Sequence, residues 1–538
     1  MRRPSPTPNR LLTLMSKHAA YAPLRTAVAA AVLGAVAVTS CTDLTENPPS
    51  RITPSSFFQN DAQIQAALAG VYNGLRTSQP DDGYWNMSQV SSDETIVPTR
   101  GTDWDDQGQW REIWTRSYAP ASGASAPGNQ INNAYANISS AIAKANAVID
   151  ALNNSPSAAS STAAQQGIAE ARALRAWFYY TLQDAFGGVP IITQPGVSGV
   201  PRATRDSTIR FILSELYAAR PSLPATYGAS GQGRITQGAV DAILANLYLN
   251  YHVYTGTPTA NGITFNTVTR YDSVLAVTSR IMNSGQYTLA PDFATWRANF
   301  AANNQSSKEN IFVVRNSATA NLGFHYVQQM AHYNHFQSPG GWNGFSVLSD
   351  QLNQYDAADQ RRSLVLTGQQ FQFDNPSAEV KTRAGAPLVL GDIQSLTAAG
   401  EGDGFRVYKY TLDPNHAAQD NGNDYAIFRL GGVMLDRAEA AYKTGDQGTA
   451  LTIINQLRAR AGAPSLSGAV TDSVMLRERL LELLNEGKRR QDLIRLGGWL
   501  TQKRFQSNPT PPYSVLFPIP LTQLQANPAL TQNPGYTQ

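Results

Sequence analysis

The chain of 538 residues contains 15% charged and 42% hydrophobic residues, with 41 glycines and 31 prolines, a composition typical of a large core with long polar loops. Its net charge of +3 includes five cations in the first 40 residues, where no acid occurs, so the remaining chain carries a net charge of −2. A weakly acidic, charge-poor body lacks the basic surface that nucleic acid requires, which excludes that class of partner.

The first 40 residues have the pattern of an export signal. Basic residues precede an apolar run at 27–39, too short for a bilayer span, which takes about 20 apolar residues. The run ends at Val38-Thr39-Ser40-Cys41, which resembles the lipobox of bacterial lipoproteins, and Cys41 is the only cysteine. We predict a lipoprotein signal peptide over 1–40, acylation (palmitate) of Cys41 and a tether over 41–56. Either Met1 or Met15 could start such a signal.

The body, residues 57–538, is predicted to be mostly α-helical. Apolar residues recur at spacings of three and four in ten segments: 57–76, 131–152, 169–186, 207–220, 236–254, 271–284, 432–444, 448–461, 473–486 and 489–496. Several of these helices start roughly 30–35 residues apart, a spacing typical of tetratricopeptide-like helix pairs. The stretch 77–128 is predicted to be loop-rich, and residues from about 299 to 428 are predicted to form an insertion of loops and short strands.

The helix at 169–186 is predicted to be the core of this scaffold. Leu174 and Phe178 belong to its apolar stripe, whereas Arg172, Arg175 and Asp184 are expected to keep one side polar. Glycines 187 and 188 stop the helix, because glycine adopts the left-handed conformation after a helix at little cost.

The order of residues in eight segments resembles the SusD/RagB family of surface nutrient-binding lipoproteins. The segments are AEARALRAWFYYTLQDAFGGVP at 169–190, GRITQGA at 233–239, IMNSGQYTL at 281–289, ENIF at 309–312, KY at 409–410, RLGGVMLDRAEA at 429–440, EGKRRQDLIR at 486–495 and FPIPLTQLQANPALTQNPGY at 517–536. One departure is the family's ERR-x-E, which reads Glu478-Arg479-Leu480-Leu481-Glu482 here and puts one local ion pair in doubt.

The resemblance implies a tetratricopeptide-like scaffold carrying a loop-rich ligand-binding region. It further implies an outer-membrane lipoprotein, facing the cell exterior, that partners a SusC-like TonB-dependent channel. In that family the lipoprotein binds oligosaccharides, or sometimes peptides, and hands them to the channel without catalysis. The identity of the ligand is left open.

Aromatic side chains on two loops are the candidate ligand platforms. Sugar rings expose C–H faces that pack on aromatic rings, while their hydroxyl groups need polar partners. We select six residues from the two clusters, with Trp104 and Trp342 first: Trp104, Trp342, Tyr333, Tyr326, Trp85 and Arg100. Any single one of these aromatic residues could instead fill the core of a loop-rich region. Trp110 and Trp114, four residues apart, are expected to pack inward.

Other polar groups are interpreted as structural. His332 and His335 lie among Asn, Gln and Gly without a cysteine, so loop positions lining a polar pocket are favoured over a zinc site. The charges around Glu478, Glu482 and Glu486 have the spacing of a solvated helix face. No catalytic residue, metal ligand or cofactor is predicted, apart from a weakly indicated calcium site in the oxygen-rich segment 413–424.

Two alternative functions stay open. The chain could be a surface-anchored polysaccharide hydrolase that uses dispersed carboxylates, although Asp93 and Glu94 are adjacent and do not share a helix face. It could also be a scaffold for the channel that binds no ligand itself.

Overall fold

The computed structural model describes residues 60–81, 83–122, 128–155, 161–228, 231–337 and 339–537. The predicted signal peptide, Cys41 and the tether lie outside these residues, as does the start of the predicted first helix.

Helices dominate the regular structure, which confirms the predicted fold class. The described residues contain seventeen α-helices, α1–α17 in chain order: Asp61–Tyr72, Tyr84–Ser91, Gln109–Thr115, Gln130–Asn153, Thr162–Phe186, Arg205–Ala219, Gln237–Leu249, Tyr251–Tyr254, Tyr271–Met282, Phe293–Ala298, Tyr326–Met330, Ser349–Leu352, Leu430–Lys443, Gln447–Arg460, Asp472–Leu483, Arg489–Arg495 and Leu521–Ala526. Helices near in sequence pack together, as predicted for helix pairs: α4 with α5, α5 with α6, α7 with α9, and α13 with α14.

Strands are short and pair only in twos. The described chain contains eight, β1–β8: Thr257–Thr259, Gly262–Thr264, Asn310–Val314, Val365–Leu366, Gly368–Gln369, Val389–Leu390, Arg406–Val407 and Tyr425–Arg429. All pairings are antiparallel: β1 with β2, β3 with β8, β4 with β7, and β5 with β6. Six of the eight strands lie between residues 310 and 429, where the sequence predicted loops and short strands.

The core helix α5 has the limits that its sequence favours. The hydroxyl of Ser161 accepts a hydrogen bond from the N–H of Ala164 at 3.2 Å, which caps the first turn. The helix ends at Gly187, whose φ of 80° lies in the region that glycine adopts readily. The predicted N-cap of α7 is confirmed as well, because Thr236 Oγ1 accepts from the N–H of Ala239 at 3.1 Å.

The charged side chains predicted on one side of α5 bind charged residues of other elements. Every residue from 169 to 186 except Arg172 is buried. Arg175 Nε donates to Glu215 Oε2 at 2.8 Å, and Asp184 accepts from Arg490 Nη1 at 2.9 Å. Periodicity identifies the neighbours of these charges on the helix but does not show which other elements cover them.

The prediction of a solvated charge lattice around Glu478, Glu482 and Glu486 is wrong, because other elements cover these side chains. Arg429, at the end of β8, lies over these carboxylates and is fully buried. Its Nη1 donates to Glu309 Oε1 at 2.8 Å and to Glu482 Oε1 at 2.6 Å, and its Nε donates to Glu486 Oε2 at 2.8 Å. Arg479, the arginine that the altered ERR-x-E segment retains, contacts Asp436 at 2.8 Å. We name Arg429 with the carboxylates of Glu309, Glu482 and Glu486 the ionic core.

The stretch 77–128 contains more helix than predicted. Helices α2 and α3 occupy part of it, and Trp85 lies on α2 rather than on a loop. Trp110 and Trp114 are on α3 and are buried, as predicted. No helix in the described ranges is long and apolar enough to cross a membrane.

Candidate ligand-binding site

The two aromatic segments singled out from the sequence meet in the structure. An antiparallel bridge joins Ile96 to Ser346, and the Trp342 N–H donates to the Gln328 carbonyl oxygen at 2.6 Å. The second segment folds tightly back on itself at Gly340, whose φ is 83° and where a Cβ would collide with the Tyr333 carbonyl oxygen.

Trp104 is fixed in an unusual conformation at the centre of this meeting point. Its φ of 62° is left-handed, which costs a non-glycine residue on the order of 1–3 kcal/mol. Its indole Nε1 donates to the Trp342 carbonyl oxygen at 2.8 Å, and its ring lies against Gly344, where a Cβ would overlap it. Phe345 meets the ring edge-on at a centroid distance of 5.7 Å. The side chain stays partly exposed, so the strained loop presents a rigid ring to solvent.

Tyr333 is held beside Trp104 by charged groups. Its hydroxyl donates to Asp103 Oδ2 at 2.5 Å, and the Arg383 guanidinium lies 4.4 Å from its ring centroid. Arg383 also contacts Asp103 at 3.2 Å and donates from Nε to Glu401 Oε1 at 2.9 Å. Tyr333 is therefore anchored at its hydroxyl and covered on one face.

A buried histidine extends this chain of contacts inward. His332 Nε2 lies 2.9 Å from Glu401 Oε2, while its Nδ1 accepts from the Asn334 N–H at 3.2 Å. The imidazole is therefore the Nε2–H tautomer that donates to the carboxylate. Burial is the main cause that lowers the pKa of His332 to about 4. His335 lies nearby, and its Nδ1 accepts from the His332 N–H at 2.8 Å.

Two buried arginines lie beneath the loops and bind backbone oxygens. Arg100 donates to the carbonyl oxygens of Asn343 at 2.6 Å, Gly344 at 3.1 Å and Asp403 at 2.7 Å. Arg406 donates to Asn343 Oδ1 at 2.5 Å and to the Asp403 carbonyl oxygen at 3.1 Å. Burial lowers the pKa of Arg100 to about 10. These contacts join the loop after Trp342 to the loop around Asp403.

Trp342 forms the other end of the surface and is partly exposed. Its ring centroid is 5.7 Å from that of His325, at an angle of 62°. His325 lies between Asp81 at 3.1 Å and Asp420 at 3.2 Å. Burial alone would lower the pKa of His325, but the two carboxylates raise it. We name the exposed surface of Trp104, Tyr333 and Trp342 the aromatic patch.

Two family models match the chain over most of its length. Residues 308–536 match the model of the SusD family, and residues 44–249 match a model described as "Starch-binding associating with outer membrane". The chain belongs to the SusD/RagB family.

Similar full-length proteins agree with the family models. The chain is 25% identical to the starch-binding protein SusD of Bacteroides thetaiotaomicron, over 93% of this chain and 96% of the relative. It is 24% identical to SusD-like protein P2 of Formosa agariphila, over 92% and 97%.

Solved structures show that the chain shares the fold of SusD-like proteins. Surface glycan-binding protein A from Bacteroides thetaiotaomicron in complex with laminarihexaose superposes with a TM-score of 0.70 at 21% identity, covering 88% of this chain and all of that one. A laminarin-binding SusD-like protein gives a TM-score of 0.70 at 20% identity, covering 89% and 100%.

The structure divides the six ligand-binding candidates of this SusD-family chain into two groups. Trp104, Trp342 and Tyr333 are partly exposed and are linked through the Trp342 carbonyl oxygen and Asp103, whereas Trp85, Tyr326 and Arg100 are buried. Trp85 Nε1 donates to the hydroxyl of Tyr425 at 3.0 Å. The three buried side chains offer no surface to a ligand. We therefore assign them the role of supporting the loops and not of contacting the ligand. The core interpretation weighed for each aromatic residue fits Trp85 and Tyr326.

Arg383 and Glu401 are the site residues that sequence reasoning missed. They lie about 50 to 70 positions beyond Tyr333 in a segment without an aromatic or motif signal. An arginine in a turn of Thr, Ala and Gly gives no indication of its partner, and only the fold brings it onto Tyr333.

The carboxylates of Asp413 and Asp420, in the oxygen-rich segment predicted to hold calcium, accept hydrogen bonds from backbone N–H groups. Asp413 accepts from the N–H groups of Asn415 at 2.8 Å and Gly422 at 2.9 Å. Asp420 accepts from the Gly323 N–H at 2.8 Å. Within the described residues no group of three or more His, Cys, Asp or Glu side chains is arranged to hold a metal ion. The calcium site stays a prediction.

Proposed function

We propose that this chain is a noncatalytic outer-membrane lipoprotein that binds nutrient oligosaccharides at the cell surface and delivers them to a TonB-dependent, SusC-like channel. The observation that carries this proposal is the aromatic patch, where three rings are held partly exposed by fixed contacts. Preorganised aromatic rings with polar groups beside them suit the C–H faces and hydroxyl groups of a sugar.

The names of similar proteins support the ligand class. One is a starch-binding protein, and one was solved with laminarihexaose. We therefore favour a glycan over a peptide as the ligand. The proposed lipid anchor at Cys41 and the outward orientation are supported by the sequence pattern and by the family resemblance.

A hydrolase is the weaker alternative. Glycoside hydrolysis needs two carboxyl groups that flank the scissile bond. Asp93 is bound in two places by Arg489, at 2.6 and 2.8 Å, and Glu94 is buried. At the aromatic patch, Asp103 and Glu401 are both engaged by Arg383.

The test is titration calorimetry with maltohexaose, laminarihexaose, cellohexaose and a peptide digest. We expect at least one hexasaccharide to bind, and Trp104→Ala or Trp342→Ala to weaken it by about 2 kcal/mol or more, as for central aromatic contacts. Tyr217→Ala is a matched control, because Tyr217 is 53% exposed on α6. Binding of peptides alone would contradict the glycan assignment.

Two further measurements separate the alternatives. Chromatography of a bound hexasaccharide after long incubation should show no shorter products, and turnover would instead support the hydrolase. Co-purification with the channel should survive Trp104→Ala combined with Trp342→Ala while uptake of the sugar fails. Unchanged uptake would favour a scaffold without its own ligand.

A further inference from the structure

A second charged region lies apart from the aromatic patch. A cavity of about 400 Å³ opens between α12, α15 and the segment 498–504, and it shares no lining residue with the patch. Five cations and two carboxylates line it: Arg116, Arg477, Arg489, Lys503, Arg504, Asp93 and Asp350.

Three of these cations are neutralised by carboxylates. Arg489 forms a two-point contact with Asp93. Arg504 contacts Asp350 and Asp392, each at 2.5 Å, and Arg477 contacts Asp356 at 3.1 Å. Both carboxylates in the cavity wall are thus already used by arginines of the same wall.

Arg116 and Lys503 differ, because neither has a carboxylate within 4.0 Å among the described residues, although the charge of Asp93 counteracts the lowering of both pKa values by burial. Arg116 is 1% exposed, and its Nε donates to the Ser91 carbonyl oxygen at 2.8 Å. Lys503 is 9% exposed, and its Nζ donates to the carbonyl oxygens of Ser91 at 3.1 Å and Ser92 at 2.7 Å. Two cations therefore share one backbone turn in the interior.

Aromatic rings cover these cations on their other sides. The Arg116 guanidinium lies 3.6 Å from the Trp499 ring centroid, and Lys503 Nζ lies 3.9 Å from that of Trp114. Carbonyl oxygens and ring faces satisfy hydrogen-bond donors, but they do not cancel a full charge. A buried cation without an anion is unfavourable, and a second cation beside it adds repulsion. Burial, followed by Arg116, lowers the pKa of Lys503.

We propose that this cavity binds a small oxyanion, meaning a phosphate, sulfate or carboxylate group, through Arg116 and Lys503. The cavity is large enough for such a group, and five cationic side chains line it against two carboxylates. An oxyanion would supply the negative charge that the wall lacks, and charge-assisted hydrogen bonds from arginine and lysine are the usual way proteins bind such groups.

The test measures thermal unfolding of the folded protein in sodium phosphate, sodium sulfate and sodium acetate, each against sodium chloride at equal ionic strength. We expect at least one oxyanion to raise the Tm saturably, by about 1–3 °C, because a ligand of the folded state stabilises it by mass action. The arm that responds identifies the chemical group. Phosphate and sulfate also stabilise proteins by exclusion from the surface, which does not saturate.

Lys503→Gln separates the two effects, and Lys144→Gln is the matched control on the exposed face of α4. The control should keep the saturable rise, whereas Lys503→Gln should lose it and should be at least as stable as the native protein in chloride alone. An equal rise in both variants would overturn the proposal. If Lys503→Gln does not fold, equilibrium dialysis of the native protein with labelled phosphate, sulfate and acetate is the deciding experiment. Saturable binding of about one ion per chain would support the site. The absence of saturable binding of all three ions would overturn it.

Discussion

Buried arginines have different hydrogen-bond partners in the ionic core and beneath the aromatic patch. In the ionic core, Arg429 is surrounded by the carboxylates of Glu309, Glu482 and Glu486. Beneath the patch, Arg100 and Arg406 bind mainly backbone carbonyl oxygens. Carboxylates on separate elements fix how those elements pack, whereas carbonyl oxygens fix the path of a loop. The same side chain therefore stabilises the scaffold in one region and shapes the ligand surface in the other.

The largest effect is expected in the ionic core. Arg429→Met removes the central cation that three buried carboxylates share and leaves them only Arg460, Arg361 and Lys409, so we expect a loss of about 3–5 kcal/mol in the free energy of unfolding. Denaturant unfolding followed by circular dichroism measures it. Arg210→Met is the control, because Arg210 is 69% exposed in its pair with Asp206 and should change stability by about 0.5 kcal/mol or less. Equal stability of both variants would contradict the claim that the buried ion pairs of Arg429 contribute more to stability than the exposed pair of Arg210.

An apolar deletion in the scaffold should cost nearly as much. Trp177 is 3% exposed, donates to Ser78 Oγ at 3.0 Å and stacks on Tyr180 at a centroid distance of 5.3 Å. Trp177→Ala is expected to lose about 3–5 kcal/mol of stability and to leave the ligand preference of the folded protein unchanged. Phe265→Ala, at a residue 39% exposed, should lose far less. A shift in sugar selectivity would show that the scaffold takes part in recognition.

Acid and base should affect the interior in opposite directions. Burial, the largest cause, raises the pKa of Glu94 to about 7, against about 4.3 in an unfolded chain. Its contribution to stability is fully present below about pH 4.3 and is lost as the pH rises to 7, by up to about 4 kcal/mol. For Glu482, burial would raise the pKa, but Arg460, Arg429 and Arg361 hold it well below its usual range. That contribution is lost only as the pH falls below 4.

The pH profile of unfolding tests this. The native protein should be most stable near pH 4 to 5, and Glu94→Gln should lose the decline between about pH 4.5 and 7 while keeping the acid limb. If the free energy of unfolding of Glu94→Gln declines with pH in the same way, another titratable group causes the decline.

The loop anchors should give a smaller loss of stability with a clear loss of binding. Arg100→Met leaves several buried carbonyl oxygens without a donor, and we expect about 2–3 kcal/mol of destabilisation. Oligosaccharide affinity should fall at least about tenfold, because the loop carrying Trp342 loses its support. Arg100→Lys keeps the charge but not the five-donor fork, and it should restore little. Full affinity in Arg100→Met would show that the loops need no anchor.

The two regions also differ in how far the sequence predicts them. Helix α4 was predicted at 131–152 and lies at Gln130–Asn153, because a local apolar period determines a local structure. The rings of the aromatic patch were singled out by composition and loop position. Their exposure depends on contacts across hundreds of residues, such as Arg100 to Asp403, which no local pattern contains. The same limit explains why the ionic core was mistaken for a solvated face.

The smallest effect is expected at Arg383, which is 55% exposed and pairs with Asp103 and Glu401 at the edge of the patch. Arg383→Ala should change the free energy of unfolding by about 0.5 kcal/mol or less, because exposed ion pairs contribute little. Oligosaccharide affinity should fall by about two- to fivefold, a change of less than 1 kcal/mol, since Asp103 and Tyr333 lose one restraint. Arg383→Lys should lie between the two, because a lysine keeps the charge but contacts only one carboxylate well. A rise in affinity would instead mean that the guanidinium occupies the face of Tyr333 on which the sugar stacks.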